Sequence, residues 1–114
     1  MTSLSSKQRA FLRSLAHSLK PVAFIGKEGV TDAAVQSLMD AFNTRELLKV
    51  KVQQMAPEES REVGAMLAER IENLHVIQII GRTIVVYRPF PEHPEIRLPR
   101  KWSSAEGNED REQL

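Results

Sequence analysis

Apolar residues recur along this chain with two different periods, and the two alternate from Ser5 to Pro89. Spacings of three and four residues lay a stripe along a helix, whereas a spacing of two lines one face of a strand. A chain that keeps switching between them is confined to an α/β fold built from short elements.

Ser5 and Gln8 form a capping-box pair, and Phe11, Leu12, Leu15, Ala16 and Leu19 follow at helical spacing, which predicts a first helix from about Ser6 to Leu19. Pro21 bars its continuation, and the apolar run VAFI up to Gly26 reads as a buried strand. Thr31 suits the cap of a second helix, with Val30 stapled against Val35, an apolar face of Val35, Leu38, Met39 and Phe42, and a stop near Asn43. In ELLKVKVQQ, Leu48, Val50 and Val52 fall on one side of a second strand, and Leu47, Lys49, Lys51 and Gln53 on a wet, basic side. Pro57 fits the first position of a third helix, with Glu58 and Glu59 at its positive end. Its buried stripe is Val63, Met66, Leu67, Ile71 and Leu74, and it ends near Asn73. HVIQII and TIVVYRP are joined by Gly81-Arg82, where glycine at the first loop position permits the positive φ of a type II′ hairpin.

The predicted order is α-β-α-β-α-β-β, an α/β two-layer sandwich with parallel neighbours from the β-α units and an antiparallel strand from the hairpin. The 114 residues suit one domain, taken as residues 1–102. The proline-rich PFPEHPEIRLPRKW is expected to lie over it as an extended arm that Trp102 pins, and residues 103–114, polar and acidic, to be a disordered tail.

Several function classes find no support in the composition. Cysteine is absent, which removes a disulfide framework and thiolate metal sites and fits a reducing compartment, so the cytoplasm is the expected location. No window approaches the roughly 18 apolar residues of a membrane span, and no membrane partner is expected. His17, His75 and His93 are too scattered for a metal motif, and no serine sits in a nucleophile-elbow context. No catalytic residue, metal, cofactor or small-molecule substrate is expected.

The formal net charge of +1 conceals a segregation: Met1 to Pro57 carries 8 basic and 4 acidic residues, and Glu58 to Leu114 carries 8 and 11. Arg9, Arg13, His17 and Lys20 lie within about 80° of one another on the first helix, counting 100° per residue. They form a basic stripe that almost no acidic residue interrupts before Glu28. Lys49 and Lys51 add two cations on the second strand, and Arg82, Arg88, Arg97, Arg100 and Lys101 a later set. Gly26, Lys27, Glu28 and Gly29 stand between a strand end and a helix start, where glycines allow close backbone approach and outward amides favour an anion. The loop lacks the further glycine and the Lys-Ser/Thr of a nucleotide-binding P-loop, which leaves a turn or a site for a polymer's backbone phosphate. Tyr87 could stack on an unpaired base or serve packing.

The blocks LSSKQRAFLRSLAHSLKPVAFIGKEGVT, ELLKVKV, VIQIIGRTIVVYRP and IRLPRK, spread in order from Leu4 to Lys101, resemble the CRM (chloroplast RNA splicing and ribosome maturation) domain. The stand-alone bacterial YhbY-type members are the nearest likeness. The resemblance implies a four-stranded mixed sheet similar to the C-terminal domain of translation initiation factor three. It also implies binding to RNA, with ribosomal RNA or precursors of the large ribosomal subunit as partner. The family's GxxG loop maps onto Gly26, Lys27, Glu28 and Gly29, with Lys27 as the leading contact. In KH domains an analogous loop clamps the backbone of a short unpaired segment.

The expected RNA-contacting set is therefore Gly26, Lys27, Glu28 and Gly29 in the loop, Lys7, Arg9, Arg13, His17 and Lys20 along the first helix, and Lys49, Lys51, Arg82 and Arg88. The chain is expected to act as a monomeric, non-enzymatic RNA-binding protein in ribosome assembly. The alternative is an adaptor that docks on a ribosomal or assembly protein through exposed apolar and acidic surface of the third helix.

Overall fold

Local signals start the first two helices where the sequence places them. In the computed structural model, which describes residues 3–100, the Ser5 side chain accepts from the Gln8 amide at 3.1 Å and the Gln8 side chain accepts from the Ser5 amide at 3.0 Å. Thr31 Oγ1 accepts from the Ala34 amide at 3.0 Å. The elements are α1 (Ser6–Ala16), β1 (Ala23–Ile25), α2 (Asp32–Ala41), β2 (Leu47–Val52), α3 (Ser60–Arg70), β3 (His75–Ile80) and β4 (Thr83–Tyr87).

The strands form one sheet in the order β1-β2-β4-β3. β1 runs parallel to β2, and β4 is antiparallel to both β2 and β3. Gly81 at φ 58 turns the β3–β4 hairpin, while Arg82 stays outside the positive-φ region, the sign pattern of a II′ loop. The α/β class and the four-stranded mixed sheet are as expected.

Alternation along the strands distributes the helices over both faces, so the two expected layers gain a third. Val50, Val52, Ile84 and Val86 point to one face, where Leu38 and Phe42 of the α2 segment and Val63 and Leu67 of α3 complete a core. Leu47, Val85 and Tyr87 point to the other, where Leu12 and Ala16 of α1 cover them together with Ile77. Met39, expected inside, is 38% exposed, because Ala34 and Ala41 take the inner side of α2 beside Leu38.

Three helix boundaries move. α3 ends at Arg70 rather than near Asn73, because Ile71 is already extended (φ −119, ψ 116). The other two move for reasons that lie far away in the chain. α1 stops at Ala16 rather than Leu19: Lys49 Nζ donates to the carbonyls of His17 (3.5 Å) and Leu19 (2.9 Å), satisfying the end of the helix from the sheet below. α3 starts at Ser60 rather than Pro57, with the Glu59 amide donating to Glu62 Oε1 at 3.1 Å. Pro57 packs instead against Gly29.

The proline-rich arm folds back over the body, as expected, but its main anchor is Glu46. This carboxylate is 3% exposed. It accepts from the amides of Phe90 (2.7 Å), Glu95 (3.1 Å) and Ile96 (2.7 Å). Ile96 and Leu98 then pack on the α1 side of the sheet, and Gln8 Nε2 donates to the Pro99 carbonyl at 2.9 Å. Lys101, the pinning role given to Trp102 and the tail at 103–114 lie outside the described residues.

Candidate nucleic-acid interface

α1 covers only half of its face of the sheet. Its N-terminal half lies over β3, where Arg9 donates to the Val76 carbonyl at 2.9 Å, and its C-terminal end lies over β2, where Lys49 reaches it. Leu15 lines a groove with Arg45, Glu46 and Leu47, at the N-terminal end of β2. Arg13 stands about 160° around the helix from Leu15, at 3.6 residues per turn. It therefore projects toward the C-terminal end of β2, over the half of the sheet that α1 leaves open.

A row of paired residues floors that open half. Phe24 pairs with Lys51, Lys51 with Thr83, and Thr83 with Ile80. Lys51 is exposed and Thr83 half-buried. Phe24 is 55% and Ile80 56% exposed, although Phe24 sits between Ala23 at 8% and Ile25 at 2%. The run VAFI is thus buried on one side only, because β1 is an edge strand beyond the reach of α1.

The GKEG loop follows β1 at this same end. It is a tight turn closed by the Gly29 amide donating to the Gly26 carbonyl at 2.9 Å. Lys27 and Glu28 occupy its exposed central positions, and among the described residues neither amide meets a backbone acceptor. Gly29 has φ 77, and a Cβ there would stand 3.0 Å from Glu58 Oε1 and 3.1 Å from Pro57 Cγ. Gly26 would meet only Gln53 Oε1, the tip of an exposed flexible side chain, at 3.2 Å. The two glycines therefore differ: Gly29→Ala is expected to lower the unfolding free energy by about 1–3 kcal/mol and Gly26→Ala by under about 1 kcal/mol. Urea denaturation checks this, and equal midpoints would contradict it.

Acidic groups near the loop leave one side of it open to an anion. Glu58 Oε1 is buried behind Gly29 with no hydrogen-bond partner among the described residues, so a phosphate is repelled from that side. Asp32, at the start of α2, is paired with Arg70, which also donates to the Val30 carbonyl at 2.9 Å. The α2 terminus is therefore already occupied by protein groups. The side that remains is that of Lys27.

The expected cations divide into three groups. Lys27 and Lys51 stand at the GKEG end of the open face and Arg13 overhangs them, whereas Arg82, at the same end of the sheet, lies on its other face, where it reaches the Gln53 carbonyl at 3.4 Å and lines a groove with Glu59, Ser60 and Arg61. Among the described residues, no hydrogen bond or ion pair holds the side chains of Arg13, Lys20, Lys27 or Lys51. Arg9 and Lys49 are engaged in the bonds to Val76, His17 and Leu19 that seat α1. His17 is the C-cap residue, and Lys20 lies past the end of the helix, so helical pitch does not set its direction. Lys7 lies about 140° around α1 from Leu12, on the side turned away from the sheet. Arg88 sits at the opposite end of β4 from Arg82, its Nε donating to the Glu72 carbonyl at 3.0 Å.

Tyr87 serves packing: it is 3% exposed, its ring centroid 6.0 Å from that of His75. Burial raises the tyrosine pKa and Glu46 adds to the rise, while burial and then Arg9 lower that of His75. The aromatic ring left exposed on the sheet is Phe24. The brevity of the run between Pro21 and Gly26, which suits an edge strand, is the one sequence signal that could have found it. On α3 the described residues include no exposed large hydrophobic side chain, so the apolar surface on which the adaptor alternative relies is not there.

Comparison with known proteins places this geometry in a family. Over 96 residues the chain is 40% identical to the "Probable RNA-binding protein YqeI" of Bacillus subtilis, covering 84% of this chain and 99% of that one. Over 101 residues it is 41% identical to an "RNA-binding protein" of Haemophilus influenzae, covering 89% and 100%. The solution structure of the hypothetical protein SAV1595 from Staphylococcus aureus superposes with a TM-score of 0.71 at 38% identity, covering 85% of this chain and all of that one. The CRS1 / YhbY (CRM) domain matches residues 4–88, a span that runs from before α1 through the GKEG turn to the end of β4. With the fold, the turn and the sequence in agreement, the chain belongs to the CRS1 / YhbY (CRM) domain family.

Proposed function

We propose that this protein binds RNA, and that it does so at the GKEG end of the open sheet face. The observation that carries the reading is the placing of Lys27 and Lys51, both exposed and held by no hydrogen bond or ion pair among the described residues, beside a turn whose central amides meet no backbone acceptor there, with Arg13 overhanging from α1. Phosphates hold to such a surface through charge and backbone donors, which position a chain without reading its bases. The RNA-binding names of the relatives support the same class of ligand and no enzymatic role.

The finer partner is RNA of the large ribosomal subunit precursor, met in the cytoplasm during assembly. The family resemblance supports that step. Titration of ribosomal RNA fragments against salt tests the binding mode. Each neutralised phosphate contributes a slope of about −0.7 to −0.9 to log K against log salt, so four contacts give a slope near −3. A flat response would remove the phosphate cradle.

A further inference from the structure

We infer that Phe24 is a stacking platform for an unpaired RNA base, so that this site takes single-stranded nucleotides rather than a continuous duplex. The inference rests on the proposed RNA binding and adds the chemistry of what lies on the sheet. Phe24 has no structural duty that matches its size, since it is 55% exposed on a strand whose neighbours Ala23 and Ile25 are buried. It stands two residues before Gly26, so a chain whose phosphate meets the turn carries its base over the ring. Extended backbone places Phe24 and Lys27 within about 10 Å of each other.

The surface around the ring is open and cationic. Phe24, Lys51, Thr83 and Ile80 are partners in register across the four strands, a row of about 14 Å at 4.8 Å per strand. Lys51 borders the ring on the inner side and Lys27 follows it at the end of the strand. Both are exposed and unpaired among the described residues. Aromatic rings on open sheets hold splayed bases in this way in other RNA-binding modules, and stacking tolerates any base because each has a π-face. A base paired within a helix presents only its edge, and the overhanging Arg13 side of α1 leaves a duplex no flat approach. The polyanion that suits these cations distinguishes the occupant from an apolar peptide, which would match Phe24 and Ile80 but not Lys27, Lys51 and the overhanging Arg13.

The test compares a short unpaired oligoribonucleotide with a duplex of the same strand, for the wild type and for Phe24→Leu, Phe24→Trp and Lys27→Glu, across a range of salt. Phe24→Leu keeps apolar bulk on the strand but removes the ring, and urea denaturation of each variant verifies the fold. The expected result is preference for the unpaired strand and a loss of about 5- to 100-fold for Phe24→Leu with an unchanged salt slope. Phe24→Trp is expected to bind at least as well as the wild type. Lys27→Glu is expected to weaken binding with a shallower slope. Full binding by Phe24→Leu alongside weakened Lys27→Glu overturns the stacking and leaves the phosphate site standing. Equal affinity for the duplex also overturns the stacking, and a wild type that binds neither RNA overturns both.

Discussion

Replacing Lys27 and Lys51 together by glutamate is expected to lower the affinity for ribosomal RNA by about 100-fold near 0.1 M salt, while the unfolding free energy moves by under about 1 kcal/mol. Near that salt one phosphate contact is worth about five- to eightfold, from its slope of −0.7 to −0.9. Losing two contacts accounts for about 25- to 60-fold, and repulsion from the new carboxylates supplies the rest. Both side chains are exposed and neither makes a hydrogen bond or ion pair among the described residues, so the fold loses little. Arg88→Gln serves as the comparison, because Arg88 lies at the far end of β4 from the GKEG turn, and its affinity should stay within about threefold of the wild type. Filter binding or fluorescence anisotropy over a salt series measures both variants. If Arg88→Gln weakens binding as much as the double reversal, net charge rather than a located cradle holds the RNA.

The parts of this architecture that the sequence made legible are those settled within a few residues. The Ser5/Gln8 box, the Thr31 cap and the glycine of the hairpin each depend on neighbours, and each is found as expected; β2 alternates as read, but α1 covers half of its expected wet side, where Leu47 is buried and Lys49 is drawn to the end of α1. What escaped depends on contacts that only the folded chain creates. α1 ends early because Lys49, more than thirty residues further on, caps it. VAFI reads as a buried strand because, apart from its brevity, the run carries no record of standing at the sheet edge beyond α1. Arg82 and Arg88 look equivalent in a list of cations, yet the strand between them separates their side chains by its full length. The same holds for the stripe on α1, where Arg9 is spent on Val76 while Arg13 remains open to a ligand.

Glu46 is the strongest case of a role hidden in the sequence, and its replacement by alanine is expected to lower the unfolding free energy by about 3 kcal/mol. Nothing local separates it from the other glutamates. The signal lies in the arm, where prolines break any strand and leave the amides of Phe90, Glu95 and Ile96 without a ladder partner, so that some acceptor must come from elsewhere. Glu46 supplies it to all three, at 2.7, 3.1 and 2.7 Å. A hydrogen bond to a charged group contributes about 1.5–3 kcal/mol, and the three bonds also seat Ile96 and Leu98 on the α1 side of the sheet. The full sum is not lost in the alanine variant, because a released arm regains water and chain entropy. Glu46→Gln keeps one carbonyl acceptor but sets an amide donor against amide donors, and should lose about half as much. Urea denaturation gives the magnitudes, and amide hydrogen exchange at Phe90, Glu95 and Ile96 shows whether the arm has detached. RNA affinity should stay within about twofold, because Glu46 precedes β2 while the GKEG turn lies beyond its other end, about 20 Å along the strand. Unchanged stability in Glu46→Ala would mean that the arm is held by its apolar contacts alone, and a loss of RNA affinity as large as that of the Lys27/Lys51 reversal would mean that the arm belongs to the binding surface.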